Sequence, residues 1–254
     1  MIDGGTVWAL APVFFAIAAV YSSVGFGGGT GYLAVMALAS FPPAVVPPIA
    51  LSLNLLVTGT SLVRFGLAGR VPRALLAPFL AAGIPAALAC AYIEAPRTAY
   101  QLFLGLGLVA AAFALVIGRR GVPGPLRPPG RRRLWAVGLP VGAIIGGISG
   151  FVGFGGGVFF GPFLLLNRWE EPRRVSAACS VMILALSAVG LAAHGTRLGV
   201  PVADAWPLGA AVLAGAVGGA HLGTTRLPAI VLQRVMAAVV ALAGGRAVIA
   251  VFGI

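Results

Sequence analysis

The chain contains no lysine, and only five acidic residues stand against its seventeen arginines. Charged residues make up 9% of the total, where a soluble domain carries about 25%. That scarcity excludes an ordinary water-soluble fold. The acids are scarce in place as well as in number. Asp3, Glu94, Glu170, Glu171 and Asp204 all fall at or beyond the ends of apolar runs. Paired-carboxylate catalysis and carboxylate-based coupling to protons or sodium inside a membrane therefore have no carrier.

Cysteine and histidine are equally thin. Cys90 and Cys179 each lie inside an apolar run, without CxxC or Cys/His spacing, so they read as small packing residues. His194 lies near a helix end and His221 within a glycine-rich run. Neither has a carboxylate or a second histidine at ligand spacing, so no metal site is expected. No Ser/His/Asp set and no HExxH pattern is visible, so no catalytic residue and no cofactor are expected either. The histidines read as helix-end packing residues, with a proton relay as their alternative role. The apolar run from Val7 to Val20 follows no positive segment, and reads as a first membrane helix rather than a cleaved signal.

What fills the chain instead is apolar. Hydrophobic residues make up 60%, and mean hydropathy is +1.06. The chain reads as an integral membrane protein, and its 254 residues allow about eight spans of about 20 residues. The arginines sit between the apolar runs, as a topology signal does. No nucleic-acid partner is expected; the lipid bilayer is one.

One stretch occurs twice. Gly25-Phe26-Gly27-Gly28-Gly29 returns letter for letter as Gly153-Phe154-Gly155-Gly156-Gly157, 128 positions later. Each copy interrupts a long apolar run. The run from Val7 to Ser40 would be about 51 Å long as one straight helix, too long for a hydrocarbon core of about 30 Å. A broken or re-entrant segment fits better. Irregular backbone at membrane depth is tolerated where it lines a cavity or is buried in protein. Paired interruptions in two halves are the best sequence pointer to a transporter's site.

The rest of the chain repeats with the breaks. In the first half, helices are expected at Ile49 to Phe65, Ala74 to Ile93 and Thr98 to Ile117. In the second, they are expected at Leu134 to Val152, Val175 to His194, Ala205 to Leu222 and Ala229 to Phe252. Arg119 to Arg133 is the only substantial linker, rich in proline, glycine and arginine. The domain reading is therefore residues 1–118 as a first repeat, 119–133 as a basic cytoplasmic linker and 134–254 as a second repeat. Gly138, Gly142, Gly146 and Gly150 form a four-residue stripe, and Ala82, Ala86 and Cys90 a second small-residue face. Such stripes let helices approach closely, within one chain or across a homodimer.

Arginine placement orients the halves. If each glycine break lies within a single crossing, the halves are parallel and 11 arginines fall inside against six outside. If each broken segment enters and returns, the halves are inverted, and 14 fall inside against three. The positive-inside rule favours the second arrangement. The fold class is thus an all-α polytopic membrane protein of two inverted repeats. Each repeat has one re-entrant glycine-broken segment and three transmembrane helices.

Facing tips of this kind offer uncrowded backbone N–H groups and helix N-termini, which suit a small oxyanion. The candidate substrate-binding residues are Gly25, Phe26, Gly27, Gly28 and Gly29, with Gly153, Phe154, Gly155, Gly156 and Gly157. Ser52 and Ser180, themselves 128 apart, and Asn54 join them as hydrogen-bonding groups. The serines' alternative is a bond to their own helix's carbonyls.

At these residues the chain resembles the sulfite exporter TauE/SafE family of membrane permeases. The duplicated glycine runs, Ala178-Cys179-Ser180 and the Gly199-Val200-Pro201 loop carry the resemblance, which covers nearly the whole chain. It implies export of a sulfur-containing anion, such as sulfite or an organosulfonate, across the cytoplasmic membrane. The Phe-Pro-Pro-Ala-Val-Val-Pro-Pro stretch from Phe41 to Pro48 departs from the family pattern. An anion channel on the same frame, and an enzyme using His194 or His221, are the alternatives.

Overall fold

The computed structural model describes residues 4–24, 27–66, 71–93, 96–117, 126–198 and 206–222, with isolated positions between 241 and 249. Gly25, Phe26, the Gly199-Val200-Pro201 loop and most of the expected last helix lie outside the described residues. Among those described, every element is a helix: α1 Gly4–Val24, α2 Gly29–Leu38, α3 Val46–Gly66, α4 Arg73–Ala91, α5 Arg97–Ile117, α6 Arg131–Val152, α7 Gly157–Leu166, α8 Pro172–Leu198 and α9 Trp206–Leu222. Four of these are long and apolar enough to cross a membrane: α3, α4, α6 and α8. The outer surface leaves Val63, Phe103, Phe113 and Ile144 exposed, as a lipid-facing surface does. Trp8 and Trp206 meet edge to face near the starts of α1 and α9, with ring centroids 5.6 Å apart. Such aromatic rings mark membrane–water interfaces.

The helix starts differ from the sequence reading in one instructive way. Arg131, Arg132 and Arg133 belong to the first turn of α6, behind Gly130 as N-cap, rather than to the linker. Arginine is a good helix former, so a basic run ends a linker only where glycine or proline makes it. Likewise α8 opens at Pro172, the first helical position that suits proline, and absorbs Arg173 and Arg174. Helix α4 runs through Pro78 and Pro85 as one element.

Glycine sets how the helices cross. A Cβ on Gly142, Gly146 or Gly150 of α6 would strike the backbone of Phe79, Gly83 or Ala87 of α4. The order of these pairs makes α4 and α6 parallel. The backbone met on α4 is that of Phe79, Gly83 and Ala87, and from the small-residue face expected at Ala82, Ala86 and Cys90 it is Cys90 that meets α6, at Gly147. Gly215 and Gly219 of α9 meet Phe15 and Ala19 of α1 in the same parallel manner. In contrast α3 and α8 cross antiparallel. Leu51 touches Gly190, while Leu62 and Val181 line a common cavity farther along.

The two short arms end alike. Ser40 and Arg168 both take the left-handed conformation, at φ of 59° and 56°. The next N–H in each, Phe41 and Trp169, reaches back five residues to Met36 and Leu164. This is a Schellman-type cap, and the two capping residues are 128 apart in sequence, the spacing of the glycine runs.

Candidate functional site

Both breaks meet at the crossing of α3 and α8. A Cβ on Gly27 would stand 3.1 Å from Asn54 Oδ1, from Thr58 Cγ2 and from Ile183 Cγ2. A Cβ on Gly155 would stand 2.8 Å from Asn54 Nδ2, 2.9 Å from Ile183 Cγ2 and 3.1 Å from Ser187 Oγ. The two breaks also touch each other, since a Cβ on Gly29 would lie 2.6 Å from the Phe154 carbonyl oxygen. No side chain fits between them. Asn54 is the bridge, donating through Nδ2 to the Phe154 carbonyl in a long contact of 3.5 Å. A carbonyl there requires the amide NH₂ on that side, which leaves Oδ1 toward Gly27.

The second break turns because Gly153, Gly155 and Gly156 take φ of +93°, +76° and +80°. A helix that stops inside a membrane leaves carbonyls without partners, and each needs one. Three are supplied at the end of α6. Gly153 N–H bonds the Ser149 carbonyl at 2.8 Å. Buried His194 of α8 donates Nε2–H to the Gly150 carbonyl at 3.0 Å. Tyr100 of α5 donates to the Val152 carbonyl at 3.4 Å. The starts of α2 and α7 also face the junction. Both have glycine N-caps, Gly28 and Gly156, and no side-chain cap. Uncapped N-termini carry partial positive charge and free N–H groups.

Four buried polar atoms around the breaks have no partner: Asn54 Oδ1, Ser187 Oγ, Ser149 Oγ and Tyr32 Oη. Tyr32 reaches back along α2 so that its ring end and hydroxyl lie against Gly28. Buried polar groups without partners are uncommon in folded proteins. Among the described residues one other such atom occurs, Ser61 Oγ on α3.

The sequence candidates fall into two groups. Gly27, Gly28, Gly29, Gly153, Phe154, Gly155, Gly156, Gly157 and Asn54 are brought together. The Phe154 ring is buried against Gly107 of α5 and edge-on to Phe159, so it packs a wall. Ser52 and Ser180 donate to the carbonyls of Pro48 and Ser176, four residues back. Neither is among the atoms closest to the breaks. Thr58, which the sequence offers on the same terms as the two serines, and Ser187, which it does not single out, are. Thr58 lies one helical turn beyond Asn54, and Ser187 one turn beyond Ile183, which is the signal that finds them. Thr58 Oγ1 donates to the Asn54 carbonyl at 2.6 Å.

The model of the family described as Sulfite exporter TauE/SafE matches residues 10–247. The chain belongs to the sulfite exporter TauE/SafE family. It is 35% identical over 241 residues to the "Probable membrane transporter protein y4hK" of Sinorhizobium fredii (strain NBRC 101917 / NGR234), covering 92% of this chain and 95% of that protein. No solved structure matches the chain. As a TauE/SafE member it is a multi-pass membrane transporter and not an enzyme. Among the described residues of this TauE/SafE chain, no group of three His, Cys, Asp or Glu side chains is placed to hold a metal ion.

A cavity of about 530 Å³ lies apart from the breaks. It is lined by Leu62 of α3, Val71, then Arg73, Leu76, Ala77 and Leu80 of α4, and Val181 of α8.

Proposed function

We propose that this transporter exports a small sulfur-containing oxyanion, such as sulfite or an organosulfonate, bound between the two glycine breaks. The observation that carries the reading is the meeting of two uncapped helix N-termini across Asn54, with the α6 carbonyls already engaged. A site of this kind favours negative charge without a charged side chain.

The antiparallel crossing of α3 and α8 supports the inverted-repeat reading, with 1–118 and 134–254 as repeats about the 119–133 linker. These two helices hold equivalent places in the two halves. In parallel halves they would run the same way. The re-entrant reading draws support from a bond between the Arg127 N–H of the linker and the Arg168 carbonyl at 2.7 Å. If the α6–α7 segment crossed the membrane once, those residues would lie on opposite sides. Both termini are then outside the cytoplasmic membrane, and the arginine-rich loops inside. The glycine stripes on α6 and α9 are used within the chain, which removes them as a reason for a homodimer.

The tips touch, so the arrangement is a closed one. Moving one repeat against the other around a fixed midplane site gives alternating access. Outward movement of an anion is favoured by about 2.3 kcal/mol per charge per 100 mV, and no membrane carboxylate is needed for coupling. The test is flux of sulfite and sulfoacetate in proteoliposomes under imposed potentials. Movement that follows the potential is expected; unchanged export against a gradient at zero potential would contradict a potential-driven exporter. Unitary currents would favour a channel on the same frame.

A further inference from the structure

The cavity between α3, α4 and α8 has no role in the site described above. Among the described residues its wall is apolar apart from Arg73. It also points toward the breaks. Leu62 lies one helical turn from Thr58 on α3, on the same face. Thr58 and Ile183 are the side chains against which Gly27 packs. One turn of packed side chains, about 6 Å at 1.5 Å per residue, therefore separates the cavity's inner residues from the glycine junction.

Arg73 opens its helix as Arg97 opens α5 and Arg131 opens α6. The first turn of α4 carries no acid, and a cation there opposes the helix dipole. Arg131 to Arg133 hold the same position on α6 but line no part of the cavity. A guanidinium at the rim of a low-dielectric recess focuses potential on anions and raises their local concentration.

We propose that this cavity is the cytoplasmic vestibule of the transport path, and that Arg73 is its anion-capture residue. This rests on the reading of the glycine junction as an oxyanion site. The anion meets the guanidinium first, then passes along the Leu62–Thr58–Asn54 face of α3 when the intervening turn opens. Arg73 is a binding residue for the arriving anion and has no part in the movement of the tips.

The experiment is initial sulfite flux from the arginine-rich face, measured against sulfite concentration in proteoliposomes. Protein-free vesicles serve as the blank. Arg73→Gln should raise KM about tenfold, the lower end of such focusing effects, with kcat within about twofold. Arg73→Lys should recover most of the loss. Raising salt should raise KM of the native protein and leave the Gln variant nearly flat, because screening acts on the charge that was removed. Ala77→Phe, which fills the cavity, should lower flux at all concentrations while thermal unfolding stays close to native. An unchanged KM in Arg73→Gln, or native flux in Ala77→Phe, would overturn the proposal. So would a difference between native and Gln variant that vanishes in purely zwitterionic lipid, because the cavity would then hold a lipid headgroup. If the native chain moves no oxyanion, the junction reading itself falls and carries this inference with it. Flux with an indifferent Arg73 overturns this inference alone.

Discussion

The two glycine runs have the same five letters and different backbones. Gly28 sits at φ −77° and ψ 9°, whereas Gly156 sits at φ 80° and ψ −22°. Their surroundings differ in kind. At the first break Tyr21 and Thr30 share a hydrogen bond of 2.9 Å, and the Tyr32 hydroxyl lies beside Gly28. At the second, the position equivalent to Tyr32 is Phe160, packed edge-on to Phe79 with centroids 4.9 Å apart. The repeated letters decide where a helix stops. The neighbours decide how the chain turns, and so which break is adaptable and which is fixed.

The largest expected contrast is between alanine at the two N-caps. At Gly156 a Cβ is held in the left-handed region, at about 1–2 kcal/mol. It would also stand 2.8 Å from Ile145 Cγ2 and Leu186 Cδ1, an overpacking cost of about 1–3 kcal/mol. At Gly28 a Cβ meets the ring end of buried Tyr32, with no left-handed strain to add. Thermal unfolding in detergent should show Gly156→Ala losing at least about twice what Gly28→Ala loses. Equal losses would break the contrast.

The next tests the centre of the junction. Asn54→Leu removes the bridging amide and should lower sulfite flux by more than about tenfold, since a buried hydrogen-bonding group lost to its partner costs about 1–3 kcal/mol. Ile183→Leu on the opposite helix keeps volume and should cost less than about 1.5 kcal/mol in stability, with flux nearly native. Flux that tolerates Asn54→Leu would move the site elsewhere.

A third concerns the carbonyls that end α6. His194→Leu leaves the buried Gly150 carbonyl unpaired and should destabilise by about 1–3 kcal/mol. Tyr100→Phe gives up a bond that is already long and should cost less than about 1 kcal/mol. The reverse order, read by denaturation, would show that Tyr100 holds the helix end.

The smallest effect sharpens the likeness instead. Ser40→Gly and Arg168→Gly each relieve a left-handed non-glycine residue and should stabilise by up to about 1 kcal/mol. Similar gains at both places would show that the two arms end under the same constraint; a gain at one alone would limit the likeness to the letters.

Much of this was legible in the residues. The duplicated run located both breaks, hydropathy located the long helices, and the glycine stripe on α6 announced a close helix crossing. What it met was not legible, because packing partners on α4 follow from the tertiary arrangement. Ser52 and Ser180, picked out by the offset of 128, donate to carbonyls of their own helices. The junction is better traced outward from Asn54 by one helical turn, to Thr58, and across to Ile183 and Ser187. The bond from His194 to Gly150 joins residues 44 positions apart, and no local pattern reveals it.

The claim that two breaks build one site is tested most directly by the stoichiometry of sulfite binding to the purified chain, measured by calorimetry on the native protein and on Gly29→Leu and Gly155→Leu. One anion per chain, lost in either variant that still unfolds cooperatively, is the expected result. Two anions per chain, with one surviving in each variant, would mean that each break binds on its own and that the junction across Asn54 is packing alone.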